Sequence, residues 1–376
     1  MKKILIVTHF YFPRNIPRAF RATELVSELR NNGYSVDVII SDYKQLVKHE
    51  EYNEKLFENE KLFENRIVNN CNIAKLSNNR IISILKNVVT YFIGERYLLT
   101  SSSYLYKNID VYKYDVIVSI GLPFYVNLVT ALKINRCRKP NAIYIADWSD
   151  PFYKVKGNHI APYFRKLQKI ACSGFDYITI PTKTAISYFS EYISEDKIRV
   201  IPQGFNFSKT KVAAYQKNKI VTFGYAGIFY KNIRNPEKLL KFLSGIDKEF
   251  VFILYTVVHG PIYTDILLKY KQILGDKLQI HDLIPRDECI TKLSQMDFLI
   301  NIENDTSNQI PSKLIDYALT GRPILSFKQD EVAEDKIISF MDGDYTGAAE
   351  IDLEQFDIKN VCRQFINLVE KEGEFN

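Results

Sequence analysis

Short apolar, β-branched runs recur at residues 4–8, 36–41, 116–120, 143–146 and 177–181, and helical patterns such as 21–31 and 125–135 separate most of them. Alternation of this kind predicts a parallel sheet with helices on both faces. The buried runs end in polar or turn residues, among them Thr8-His9, Gly121 and Asp147. Open α/β sheets take their ligands at these strand ends. A second series follows at 197–202, 221–226, 250–255, 278–281, 298–302 and 324–327. Between the two series, the polar segment 203–219 with Gly204 reads as a linker. The pattern divides the chain into an N-terminal domain over 1–203, a second domain over 204–360 and a C-terminal helix over 361–376. A chain of 376 residues also exceeds the size at which a single core usually splits. The region 44–79 breaks the alternation. It is charged and asparagine-rich, with the local echo EKLFENEKLFEN, and predicts an exposed helical excursion without chemistry.

Composition narrows the class. The 46% hydrophobic and 25% charged residues are those of a soluble globular chain. Five cysteines, far apart and without a CxxC pair, argue against a disulfide framework or a zinc site and for a reducing compartment. The start, MKKILIVTHFYFP, reads as a first buried strand and not as a leader. The longest uncharged run, 116–132, contains Gly121-Leu122-Pro123, which breaks a spanning helix. No GxGxxG follows the first strand, so a dinucleotide-dependent oxidoreductase is disfavoured. Residues 133–172 carry nine Lys/Arg against two Asp, an excess of seven in a chain whose net charge is +6. Aromatics interleave there, and 80–99 adds a helical stripe of Ile81, Ile82, Leu85, Val88, Val89 and Phe92. A basic, partly apolar face of this kind suits an anionic membrane surface. No compact basic motif points to nucleic acid.

The segment IPSKLIDYALTGRPIL, 310–325, concentrates the chemistry. Pro311 and Ser312 sit where a helix begins, Leu314, Ile315, Ala318 and Leu319 give it one apolar face, and Gly321 ends it. The free N–H groups of the first turn, the helix dipole and Lys313 make an anion site suited to a diphosphate. One turn on, Asp316 offers a carboxylate to sugar hydroxyls.

This segment resembles the nucleotide-sugar signature of the family 4 glycosyltransferases. The closest version is a subgroup pattern Pro-Ser-Lys, two apolar residues, Glu-Tyr, two apolar residues, then Gly-x-Pro. Asp316 stands for its Glu, and the earlier Glu of the family's pair falls at Asn308. The resemblance implies an α/β fold of the GT-B type, with two Rossmann-like domains facing across a cleft. It also implies that the C-terminal helix returns to the first domain.

Further matches assign the rest of the site. YAGIFYKNIRNPEKLL, 225–240, resembles the family loop that clamps donor phosphates, with Gly227 closing the strand, Arg234 as the clamp and Lys231 as its backup. IHDLIPRDE, 280–288, places Leu283 and Ile284 at the nucleotide base, and Glu303 lies at the end of the strand leading to the diphosphate helix. In the first domain the loop after the first strand lacks the family's glycines but offers Arg14, Arg18 and Arg21, of which Arg18 is expected at the donor. Asp147-Trp148-Ser149-Asp150-Pro151 resembles an acidic acceptor element. Asp150 is the favoured carboxylate, with Asp147, Trp148 and His9 on the acceptor side.

The chemistry implied is retaining transfer of a hexose or N-acetylhexosamine from a nucleotide diphosphate sugar, UDP-linked first and GDP-mannose next. The acceptor expected is a lipid-linked saccharide of O-antigen or capsule assembly. Asp150, Arg234 and Lys313 are expected to carry it. With no Asp-x-Asp and no histidine cluster, neither a metal nor another cofactor is expected. The expected location is cytoplasmic, peripheral to the inner face of a membrane. Two alternatives remain open: a nucleotide-sugar epimerase, which would turn over without an acceptor, and a non-catalytic accessory protein.

Overall fold

The computed structural model describes residues 2–14, 16–71, 80–95, 97–153, 159–303 and 312–370. The chain forms two compact units, 1–205 together with 355–376, and 206–354.

In the first unit the predicted runs become β1 (Lys3–Thr8), β2 (Ser35–Ile40), β4 (Val116–Ile120), β5 (Ile143–Asp147) and β6 (Tyr177–Ile180). Two strands join them. A short β3 (Gln45–Val47) runs antiparallel to β2, and β7 (Ile198–Val200) pairs with β6. Sequence placed 197–202 in the second series; its backbone instead completes the first sheet. The order is β3-β2-β1-β4-β5-β6-β7, and every pair except β2–β3 is parallel. Alternate residues of each strand enter different cores. Leu5 and Val7 join one, while Ile4 and Ile6 join the other, as the period of two requires. The helices in this unit are α1 (Pro17–Asn31), α2 (Tyr52–Cys71), α3 (Arg80–Ile93), α4 (Tyr97–Asn108), α5 (Tyr125–Cys137), α6 (Phe164–Ser173) and a one-turn α7 (Ile186–Phe189). α1 packs on one face of the sheet, and α5 with α6 on the other.

The second unit has five parallel strands, β8 (Val221–Ala226), β9 (Phe250–Tyr255), β10 (Leu278–His281), β11 (Phe298–Ile302) and β12 (Ile324–Phe327), in the order β10-β9-β8-β11-β12. α8 (Glu237–Ser244), α9 (Leu268–Leu274) and α12 (Glu334–Met341) cover one face, and α10 (Arg286–Leu293) and α11 (Ser312–Leu319) the other. Most of the expected linker is part of this unit. Ala213 N donates to Ser294 Oγ (3.0 Å) and Tyr215 Oη to Asp297 Oδ1 (2.6 Å). The last helix, α13 (Ile358–Glu370), returns to the first unit and buries Val361, Cys362 and Phe365 with Ala22, Leu25 and Val26 of α1. Residues 355–360, expected with the second domain, cluster with the first.

Candidate donor site and its counterpart

The second unit collects cations at the carboxyl ends of β8 and β11. Gly227 follows β8 with φ +135, a backbone that a side chain would strain. The chain then turns tightly, and Tyr230 and Arg234 pair across the turn (Arg234 N to Tyr230 O, 3.0 Å). The turn sends the Arg234 guanidinium back beside the Tyr225 hydroxyl, while Lys231 stays exposed at its tip. Arg234 Nε is buried and has no hydrogen-bond partner among the described residues.

Lys313 arrives from α11. Its Nζ donates to Ile302 O at the end of β11 (3.1 Å) and lies 4.8 Å from the Tyr225 ring. α11 itself is latched to β8, since Tyr317 Oη accepts from Ala226 N (2.7 Å) and donates to Ala226 O (3.1 Å). Burial, with the nearby Arg234 charge adding to it, pushes the Lys313 ammonium down to about 7. Neither Arg234 nor Lys313 forms an ion pair with a described residue. Two cations held together without a counter-ion among the described residues are suited to an anion.

The base and ribose side is built differently from the expectation. Asp316 is held by Arg286 at the start of α10 (Nε to Oδ1 2.8 Å, Nη2 to Oδ1 2.6 Å). Burial raises the Asp316 carboxyl, and the Arg286 charge opposes that rise. Arg286, Tyr225 and Tyr317 escaped the sequence reading. Arg286 and Asp316 lie 30 residues apart, and no motif links them. Leu283 is exposed and Ile284 half-buried in the loop between β10 and α10. Glu303 accepts from Ser326 Oγ (2.8 Å). Pro311 and Asn308 lie outside the described residues, as does the side chain of Ser312.

In the first unit, the arginines expected to contact phosphate are neutralised. Arg18 Nε donates to Gly121 O (2.8 Å), and its Nη2 lies 2.9 Å from Asp147 Oδ2. Arg21 grips the same carboxylate from both sides (Nη2 to Oδ1 2.8 Å, Nε to Oδ2 3.2 Å), and Thr179 Oγ1 adds a bond of 2.6 Å. Arg14 pairs with Asp42 (2.8 Å). Burial alone would raise the Asp147 carboxyl, but the Arg21 and Arg18 charges outweigh it and hold it low. Arg18 and Asp147 thus hold β4, β5 and α1 together, and each is already partnered there instead of standing open to the donor or the acceptor. Trp148 is likewise no open platform for a sugar. It is buried between Phe124 and Phe189, at ring distances of 6.0 and 5.2 Å.

Two groups in this unit remain near the strand ends. His9 Nδ1 is 2.9 Å from Ser41 Oγ and 2.8 Å from Tyr125 Oη, in a buried polar network. Asp150 is exposed, close enough for its charge to act on Arg18. The missed Glu95 accepts from Phe124 N (2.8 Å) and Tyr125 N (3.3 Å) at the head of α5. Burial drives its carboxyl up to about 7 against the pull of those N–H groups.

Comparisons with known proteins fit this architecture. The lipopolysaccharide outer core galactosyltransferase WaaB in its apo form superposes with TM-score 0.56 at 12% identity, over 98% of this chain and 99% of that one. Anabaena HepE, in complex with UDP and glucose, gives 0.55 at 10% identity over the whole of both chains. A putative UDP-N-acetylglucosamine 2-epimerase from Listeria monocytogenes gives 0.56 at 11% identity, over 100% and 98%. Identities this low show the fold alone, which is the GT-B architecture of paired parallel α/β units. No curated protein sequence matches. The model of Glycosyltransferase Family 4 matches residues 19–209, half of the chain. The chain belongs to that family and is a glycosyltransferase.

Proposed function

We propose that the protein transfers a hexose or N-acetylhexosamine, with retention, from a nucleotide diphosphate sugar to a lipid-linked saccharide of surface polysaccharide assembly. The observation that carries the reading is the pair Arg234 and Lys313, converging on Tyr225 without a carboxylate partner among the described residues. Transfer passes through an oxocarbenium-like state. Negative charge then grows on the β-phosphate of the departing nucleotide, and cations fixed there stabilise the transition state more than the ground state. Retention is consistent with a front-face step in which the leaving phosphate takes the acceptor proton, so no strong protein base is demanded. Asp150 is proposed to orient the acceptor hydroxyl, with His9 helping to shape that region. Lys231, Gly227, Leu283, Ile284, Pro311, Ser312 and Asp316 complete the proposed donor pocket, and no metal is assigned a step.

A UDP-linked donor is favoured over GDP-mannose, because two proteins of the same fold carry UDP or a UDP-sugar in their descriptions. The lipid-linked acceptor follows from the WaaB likeness and from the basic, aromatic first unit, and it puts the enzyme at a membrane surface. The same fold also serves an epimerase, but the family match separates this chain from that activity.

The test is thermal shift against UDP, GDP, CMP, dTDP and ADP, without metal and then with Mg²⁺. A nucleotide at 100 times its dissociation constant stabilises by about 2.7 kcal/mol. One nucleotide is expected to shift the wild type, but neither Arg234→Ala nor Lys313→Ala. No shift from any nucleotide sinks the donor assignment. Turnover of a UDP-sugar without acceptor sinks the transferase assignment in favour of epimerisation.

A further inference from the structure

The second half of α3 leaves apolar side chains in solvent. Positions 81, 82, 85, 88, 89 and 92 fall on one helical face, and such a stripe normally faces a core. Here residues 87–92 are all exposed. Val88, Val89 and Phe92 keep 47, 48 and 57% of their surface, and Leu99 at the start of α4 keeps 69%. The helix is nevertheless held in place. Ala161 N donates to Tyr91 O (2.9 Å), and the Tyr163 hydroxyl donates to Phe92 O. Gly94, with φ +77, presses its backbone on the rings of Phe164 and Phe152, where a Cβ would come within 2.7 Å of Phe164. These contacts fix the exposed stripe beside the first turn of α6.

The sequence around the stripe is mostly basic. Residues 80–108 contain Arg80, Lys86, Arg96 and Lys107 against Glu95 alone, and Glu95 turns inward to cap α5. On α6, Arg165 is matched by Glu191, while Lys166 and Lys169 stand exposed. The excess of seven positive charges over 133–172 is smaller in the folded chain. Arg138 pairs with Asp176 and Lys139 with Asp115, acids outside that window.

We infer that the exposed Val88, Val89 and Phe92 of α3, with Leu99 and with the exposed Lys166 and Lys169 of the neighbouring α6, dock the protein on an anionic lipid bilayer. The 14 residues of α3 span roughly 21 Å, at about 1.5 Å per residue. That is too short to cross a bilayer, and no described helix is long and apolar enough to do so. It is long enough to lie in the headgroup boundary with its apolar side down. Tyr91, Phe92 and Tyr163 suit that boundary, and lysines beside them attract anionic headgroups. A second copy is a poorer occupant, because a two-fold contact through this face would bring the lysines of both copies together. The choice of a bilayer rests on the lipid-linked acceptor proposed above; the exposed face does not.

The experiment is co-sedimentation with vesicles of phosphatidylcholine alone and with about one-third phosphatidylglycerol, alongside nucleotide thermal shift on the same samples. Wild type is expected to sediment with the anionic vesicles, less so at high salt. Val88→Glu/Phe92→Glu should weaken this about tenfold or more, and Lys166→Glu/Lys169→Glu should remove the preference for anionic lipid, with the melting temperature and nucleotide shift intact. Phe92→Trp should shift its emission to the blue on binding, against an unchanging background from Trp148, which is the only native tryptophan and is buried. Wild type that stays in the supernatant, or sediments equally well as Val88→Glu/Phe92→Glu, overturns the inference. So does a solution dimer that the same variant dissociates, since a second copy then covers the face. Docking without any nucleotide shift leaves this inference standing and removes the donor-site assignment; a nucleotide shift without docking does the opposite.

Discussion

Two clusters of buried cations stand at strand ends of this protein, and the sequence assigned phosphate to both. In the first unit, Arg18 and Arg21 close on Asp147. In the second, Arg234 and Lys313 meet across Tyr225 with no acid among the described residues. The residue types are similar and the counter-ion differs. A buried guanidinium with its own carboxylate is already neutralised, and an incoming phosphate would have to break that pair. A buried cation facing another cation destabilises the empty protein and gains most when an anion arrives. One cluster therefore maintains structure, and the other is suited to a ligand.

The largest effect expected from this contrast is in the first cluster. Asp147→Ala leaves two guanidiniums buried without their acid, and loss of one partner of a buried pair costs about 3–5 kcal/mol. Urea unfolding followed by Trp148, the next residue, measures it. A loss below about 1 kcal/mol would mean that the arginines find water and that the cluster is open after all. In the second cluster the expected signs are reversed. Lys313→Met should leave the apo protein as stable as wild type or more so, because it removes an ammonium buried beside Arg234. Arg234→Ala and Lys313→Ala should each weaken nucleotide binding roughly 10–100-fold, the equivalent of about 1.5–3 kcal/mol for a hydrogen bond to a charged group. Calorimetric titration of the chosen nucleotide checks this. Destabilised apo variants with unchanged affinity would reverse the assignment of the two clusters.

Acidity gives a smaller but more specific signature. Lys313 falls from the usual 10.5 to about 7 when the chain folds. Between those values the unfolded chain holds the extra proton, so this residue makes stability rise with pH from about 7 to 10.5. Binding has the opposite slope. The diphosphate needs the ammonium, so affinity is full below pH 7 and falls by up to about tenfold per unit above it, with proton uptake on binding. Titrations in buffers of different ionisation enthalpy report that proton directly. Lys313→Arg should abolish both the uptake and the slope. A wild-type affinity flat from pH 6 to 9 would place the phosphate away from Lys313.

The order of elements and the helix that follows Pro311 were legible in the sequence because both are local. Runs of Val and Ile at 4–8 or 298–302 need only their own neighbours to be read as buried strands, and IPSKLIDYALTG carries its helix signals within a few residues. The weaker strand β7 was grouped with the second series although the boundary at 203 kept it in the first domain, because three residues before a polar stretch do not say which sheet they join. Ion pairing was not legible either. Arg18, Arg21 and Arg234 look alike in sequence, and what separates them is Asp147, 126 residues beyond Arg21. Family membership and site motif also rest on different stretches. The family model matches 19–209, whereas the most specific residues lie after 221.

The smallest expected effect concerns Asp316, which lies between the two cases. It has an arginine partner, as Asp147 does, but the pair is half-exposed, with side chains at 24 and 34%. Such a pair contributes at most about 1 kcal/mol, so Arg286→Ala should change stability little. Its value is as a probe of the ribose. If the diol of the nucleotide competes with Arg286 for the Asp316 oxygens, removing Arg286 should strengthen UDP binding a few-fold. It should also widen the gap between UDP and its 2′-deoxy analogue, because a hydroxyl then meets an uncommitted carboxylate. If Arg286 instead touches the nucleotide itself, UDP binding should weaken and the gap between the two ligands should stay the same. Measuring both nucleotides on both proteins separates an arginine that must move aside from one that takes part in recognition.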